Sequence, residues 1–166
     1  MSTILVVRSI SSVVHDVAEI LRLAELEVVE VFDLYEAAEA ARRHRPDVIL
    51  LEIGHRTIDV VHLGLDILAF LPTVSIVLVA ARFDRAVFEA AEELQAAGIV
   101  RSRYEVDELL DVVARSQRLA DAKRGHEASE PRPGSGHGTS TDAELAPWPT
   151  AARRELLERP AGALQS

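Results

Sequence analysis

The chain has 166 residues, 48% of them hydrophobic, which is enough for one ordinary domain with a remainder. It contains no cysteine, so disulfides and thiolate metal sites are excluded, and no apolar run approaches the roughly 20 residues that cross a bilayer. The formal charge is −9, with 20 Asp/Glu against 12 Lys/Arg in residues 1–120, so the folded part repels phosphate backbones and nucleic acid is an unlikely partner. The opening MSTILVV lacks the basic region and cleavage site of a secretion signal, and a cytoplasmic protein is expected.

Apolar runs alternate with helical patterns along the chain. Ile4–Val7 reads as a first strand. Ser11 or Ser12 is a candidate cap for a helix with Val13, Val17, Ile20, Leu21 and Ala24 on one face. Val28–Phe32 is the second strand, and Asp33 caps an alanine-rich helix that Pro46 stops after His44. Val48–Ile53 is the third strand, four apolar residues that run into the carboxylate of Glu52, as in a strand buried on both faces. A helix follows from about Asp59 to Leu71, closed by Pro72, and Val74–Val79 is the fourth strand. Phe83, Val87, Ala90, Ala91 and Leu94 share a face of the next helix, which Gly98 ends. Ile99–Arg101 is a short fifth strand, and Val106, Leu109, Leu110 and Val113 line a last helix to about Leu119.

Five β-α units predict a flavodoxin-like, doubly wound α/β fold: a five-stranded parallel sheet, order 2-1-3-4-5, with helices on both faces. Arg8-Ser9-Ile10-Ser11 has no glycines after the first strand, which argues against dinucleotide binding. The domain is expected over residues 1–120. Residues 121–147, rich in Pro, Gly, Ser and Thr, read as a disordered linker, and 148–166 as a tail with one candidate short helix. Trp148, Leu156 and Leu157 would anchor that tail if it binds a partner; a frayed end is the simpler reading.

Four segments in order resemble the receiver domain of two-component response regulators. ILVVRS resembles the family's ILVVDD, RPDVILLEI its PDLVLLDI, VSIVLVAA its strand ending in Thr-Ala, and AAGIVRSRYEVDELLDVV its AGAxGYLVKPFDxxELLxxV. The similarity covers residues 2–120. It implies a phospho-accepting Asp after the third strand, two acids after the first that hold Mg²⁺ with it, a Thr or Ser after the fourth, and a Lys on the fifth. This chain departs at each position. The acids are replaced by Arg8 and Ser9, the acceptor by Glu52, the hydroxyl by Ala80 and the lysine by Ser102. Arg101 lies one residue away, on the opposite face by alternation, and Ile99 stands where the family often has an aromatic.

A guanidinium and a metal dication about 4–5 Å apart repel by several kcal/mol at an effective dielectric near 20. Arg8 is therefore expected to displace the metal and to pair with Glu52, bidentate pairing with carboxylates being its preferred geometry. The alternative is that both side chains point to solvent. The resemblance then implies a pseudo-receiver: a non-enzymatic, cytoplasmic protein-interaction module that works without aspartyl phosphorylation, cofactor or metal. Its partner would be a kinase, an output protein or a second copy in a homodimer. Two alternatives remain, a regulator still phosphorylated at Glu52 or a nearby acid and a transcription-related regulator acting through the tail.

Other motifs have plainer readings. Asp59, His62 and Asp66, with His55 before them, suggest metal ligands but equally form the solvent stripe of a helix. His15-Asp16 reads as a solvated pair. The third helix is apolar nearly all round, from Val60 through Leu71, so part of it, with Phe70, Phe88 and Ile99, is a candidate interface.

Overall fold

The computed structural model describes residues 2–9, 17–54 and 56–129. They lie within a compact unit, Met1–Glu130; Pro131–Ser166 form a second unit outside the described residues. The candidate caps Ser11 and Ser12, His15-Asp16, His55 and the tail anchors Trp148, Leu156 and Leu157 are likewise outside them.

Strands β1 (Thr3–Val7), β2 (Glu27–Val31), β3 (Val48–Ile53), β4 (Ser75–Ala80) and β5 (Gly98–Arg101) form one parallel sheet in the order β2-β1-β3-β4-β5. Helices α1 (Val17–Leu23), α2 (Leu34–His44), α3 (Thr57–Phe70), α4 (Arg85–Glu93) and α5 (Val106–Ser129) follow the strands in turn. This is the doubly wound topology that the alternating pattern predicts, and the inner strands β1, β3 and β4 are buried on both faces as such a sheet requires.

Side-chain alternation divides the core. Ile4, Val6, Val48, Leu50, Val77, Val79 and Val100 pack with Val17 and Leu21 of α1 and Leu109, Val112 and Val113 of α5. Leu5, Ile49, Leu51, Ile76 and Leu78 have the opposite parity and are also buried, on the side of α2, α3 and α4. At about 1.5–3 kcal/mol for each large aliphatic side chain removed from water, these two layers hold the sheet between the helices.

Local signals fix the ends. Asp33 Oδ1 accepts the Tyr35 N–H at 2.8 Å as the N-cap of α2, and Arg45, at φ 44°, ends that helix in the left-handed region before Pro46. Asp84 Oδ1 accepts the Val87 N–H at 3.0 Å at the start of α4. Gly64 lets α3 and α4 close up, since a Cβ there would run into the side chain of Leu94. Helix α3 lies between α2 and α4, which explains the width of its apolar face. Val60, Val61, Leu63 and Ile67 are buried, while Ile58 and Leu65 remain exposed.

One boundary differs from the sequence pattern. The apolar periodicity ends near Leu119, yet α5 continues to Ser129, so residues 121–129 are helix rather than linker. Polar contacts extend it: Lys123 Nζ donates to Val74 O at 3.1 Å, and Arg124 bonds to Asp47 and to Asp121.

Candidate functional site

Binding sites in open parallel sheets lie at the carboxyl ends of the strands, and Arg8 and Glu52 sit there. Val7 is level with Val31 on one side and Leu51 on the other, so one further residue brings Arg8 beside Glu52, on the face of Val6 and Leu50. The Arg8 N–H donates to Val31 O at 3.0 Å, which extends the ladder and aims the side chain. A small pocket here is lined by Val6, Val7, Arg8, Val17, Leu50, Glu52 and Val79.

The expected Arg8–Glu52 pair does not form. Arg8 Nη1 donates to Glu30 Oε1 at 3.4 Å, with the two side chains 13% and 18% exposed, and the guanidinium lies 5.7 Å from the Phe32 ring centroid. Glu52 Oε2 instead accepts the Ser9 N–H at 2.9 Å. The register explains the choice. Glu30 is opposite Val6, on the same face as Arg8, so Arg8 has a carboxylate on either side. The amide of Ser9, as the chain leaves β1, takes the one on β3. Arg8 Nε is buried and has no hydrogen-bond partner among the described residues, so the guanidinium is incompletely satisfied.

Glu30 and Phe32 were not visible as site residues because motif comparison looks along one strand, whereas their role comes from pairing between two. Strand alternation carries the signal for Glu30: it shares the parity of Val28, which packs on the core cluster, and falls next in line with Arg8.

The remaining positions complete the edge. Ala80 is 1% exposed and level with Ile53 and Arg101, while Ser102 donates its N–H to Ala80 O at 2.9 Å. Ala80 brings no hydroxyl to the edge. Arg101 stacks over Phe83, 4.8 Å from the centroid, and Phe83 meets Phe88 edge-on at 6.1 Å. Ile99 is 8% exposed, which takes it out of any surface, contrary to its expected place in an interface. Phe70 is half-buried under Arg42, 4.6 Å from its ring, and Phe88 is half-buried. On α3, Asp59 accepts from Arg56 Nε at 2.6 Å, and His62 and Asp66 are exposed. Among the described residues no three His, Asp or Glu side chains gather to hold a metal, and no helix is long and apolar enough to cross a membrane.

No family model and no curated protein matches this sequence. Solved structures do. The N-terminal domain of a response regulator/sensory box/GGDEF three-domain protein from Carboxydothermus hydrogenoformans superposes with a TM-score of 0.65 at 25% identity, covering 74% of this chain and 99% of that one. The chemotaxis protein CheY4 of Vibrio cholerae gives 0.63 at 19% identity, over 70% and 98%. NtrX from Brucella abortus, solved with ATP, gives 0.70 at 24% over 85% of this chain; the chain spans 32% of that protein. The fold is that of CheY-like response-regulator receiver domains. The resemblance to receiver domains implies a magnesium ion beside the acid closing β3. A hard dication needs several oxygen ligands, and here the guanidinium of Arg8 stands between the carboxylates of Glu30 and Glu52, so the residues present do not fit it.

Proposed function

We propose that this domain is a pseudo-receiver: a cytoplasmic, non-catalytic signalling module that engages a protein partner in a state not set by aspartyl phosphorylation. One observation carries the reading. Arg8 lies in the pocket where the fold would seat a metal, held by Glu30 and Phe32, while Glu52 is bonded to the Ser9 amide. A positive side chain there neutralises the edge as the metal would, but permanently. Ala80 supplies no hydroxyl to read a phosphoryl group, and the fifth strand ends in Arg101, stacked on Phe83 rather than free to reach the acid.

With the switch chemistry gone, the function is recognition, and the partner is a kinase, an output protein or a second copy of the chain. The half-buried Phe70 and Phe88 and the tail residues Trp148, Leu156 and Leu157 are the candidate contacts. Titration calorimetry with Mg²⁺ tests the reading. The wild type should show no saturable binding, and the double variant Arg8→Asp, Glu52→Asp should acquire it. One-to-one Mg²⁺ binding by the wild type, abolished in Glu52→Gln, would favour a regulator that is still phosphorylated.

A further inference from the structure

The amino end of the sheet carries a second polar cluster, independent of the pocket at the carboxyl end. Asp47, at the start of β3, is 6% exposed. Its Oδ2 accepts the Thr3 N–H at 2.9 Å, and its Oδ1 accepts from Arg124 Nη1. The other arm of the same guanidinium, Nη2, reaches Asp121 one turn back on α5. Beside it Lys123 Nζ donates to Val74 O, and the Ser75 N–H donates to Asp47 O at 2.9 Å. The buried carboxylate of Asp47 therefore joins β1 to α5, while its backbone carbonyl ties the same residue to β4.

The end of α5 has little else to keep it helical. Ala120 is the last buried residue of the helix; from 121 to 129 every residue but the half-buried Lys123 is exposed. Gly125 lies within this stretch, at about 1 kcal/mol less favourable than alanine in a helix interior. A segment without a core face and with an interior glycine frays unless side chains fix it from outside.

We propose that Asp47 is a latch on the exit helix: residues 121–129 stay helical because the Arg124 fork bridges Asp47 and Asp121, so the sheet edge controls how the chain leaves the domain. An event that draws Arg124 away from Asp47, such as the approach of an acidic segment of a partner, unwinds the last two turns of α5 and leaves the sheet intact. The fork is essential, because a lysine offers a point charge and cannot span both carboxylates in one plane. Breaking the Arg124 side leaves the Thr3–Asp47 bond in place, which makes the event local.

Amide hydrogen exchange on the full chain tests this. In Arg124→Ala, amides of residues 121–129 should exchange at least about tenfold faster than in the wild type, while those of β1 and β3 change less than about twofold. Arg124→Lys should fall between the two. Asp47→Asn, which keeps an acceptor for Thr3 but drops the charge, should loosen the same helical segment. Wild-type protection of 121–129 in Arg124→Ala would overturn the latch, and so would an equal acceleration across all strands.

Discussion

The two ends of the sheet both set an arginine against carboxylates, and they do it differently. At the amino end the carboxylate is the buried member: Asp47 is fully bonded, and Arg124 comes to it from the surface with its side chain 46% exposed. At the carboxyl end both members are partly enclosed, Arg8 13% and Glu30 18% exposed; Arg8 meets Glu30 at 3.4 Å, and its Nε has no partner among the described residues. A satisfied polar cluster rigidifies a fold, whereas a buried donor left without a partner costs stability. We propose that the amino end acts as a joint and that the carboxyl end is a receiver site whose charge has been inverted.

The largest expected effect breaks the joint. Asp47→Ala leaves the Thr3 amide without its acceptor and Arg124 without its buried partner, and should cost about 2–3 kcal/mol in urea unfolding. A loss under about 0.5 kcal/mol, the range of ordinary surface substitutions, would make the two ends alike. Next, Arg8→Asp places a third carboxylate beside Glu30 and Glu52, and should destabilise by about 1–2 kcal/mol without metal. Millimolar Mg²⁺ should restore that loss, because a ligand that binds only the folded state stabilises it. Persistent destabilisation in Mg²⁺ would mean that the pocket cannot regain its metal by charge alone.

A smaller effect concerns the loop between β4 and α4. Phe83→Ala removes the stack under Arg101 and the edge contact with Phe88, together about 1 kcal/mol, and should speed exchange in residues 81–84. If the loop amides keep their protection, the stack does not hold the loop. The smallest effect is a pH trend. Burial lowers the Lys123 ammonium below its ordinary 10.5, so between the folded and unfolded values the unfolded chain binds more protons. That burial cost is present at neutral pH and fades as pH rises toward 10.5. The stability of wild type relative to Lys123→Met should therefore rise from pH 7 to pH 10; a flat difference would place Lys123 in water.

The strand order and the buried strands were legible because periodicity and chain direction leave few topologies for five β-α units. The Asp33 cap was legible too, since its acceptor lies two residues from its donor. Long-range polar choices were not. Motif position predicts that Arg8 meets Glu52, but the sheet gives Arg8 an acid on each side, and a backbone amide decides between them. The length of α5 was hidden for the same reason: Arg124 is fixed by Asp47, 77 residues away, and apolar periodicity carries no trace of that contact. In the site itself, Arg8, Ser9, Glu52 and Ala80 could be placed at the sheet edge directly from the residues, whereas Glu30 and Phe32 emerge only once the strands are paired.

In the pseudo-receiver we propose, Arg8 ends phosphoryl chemistry at Glu52. Incubating the wild-type protein with acetyl phosphate and Mg²⁺, then measuring the intact mass, tests it most directly. No phosphoryl group should be added under conditions that label an active receiver. A stoichiometric adduct that maps to Glu52 and is released by hydroxylamine would contradict it.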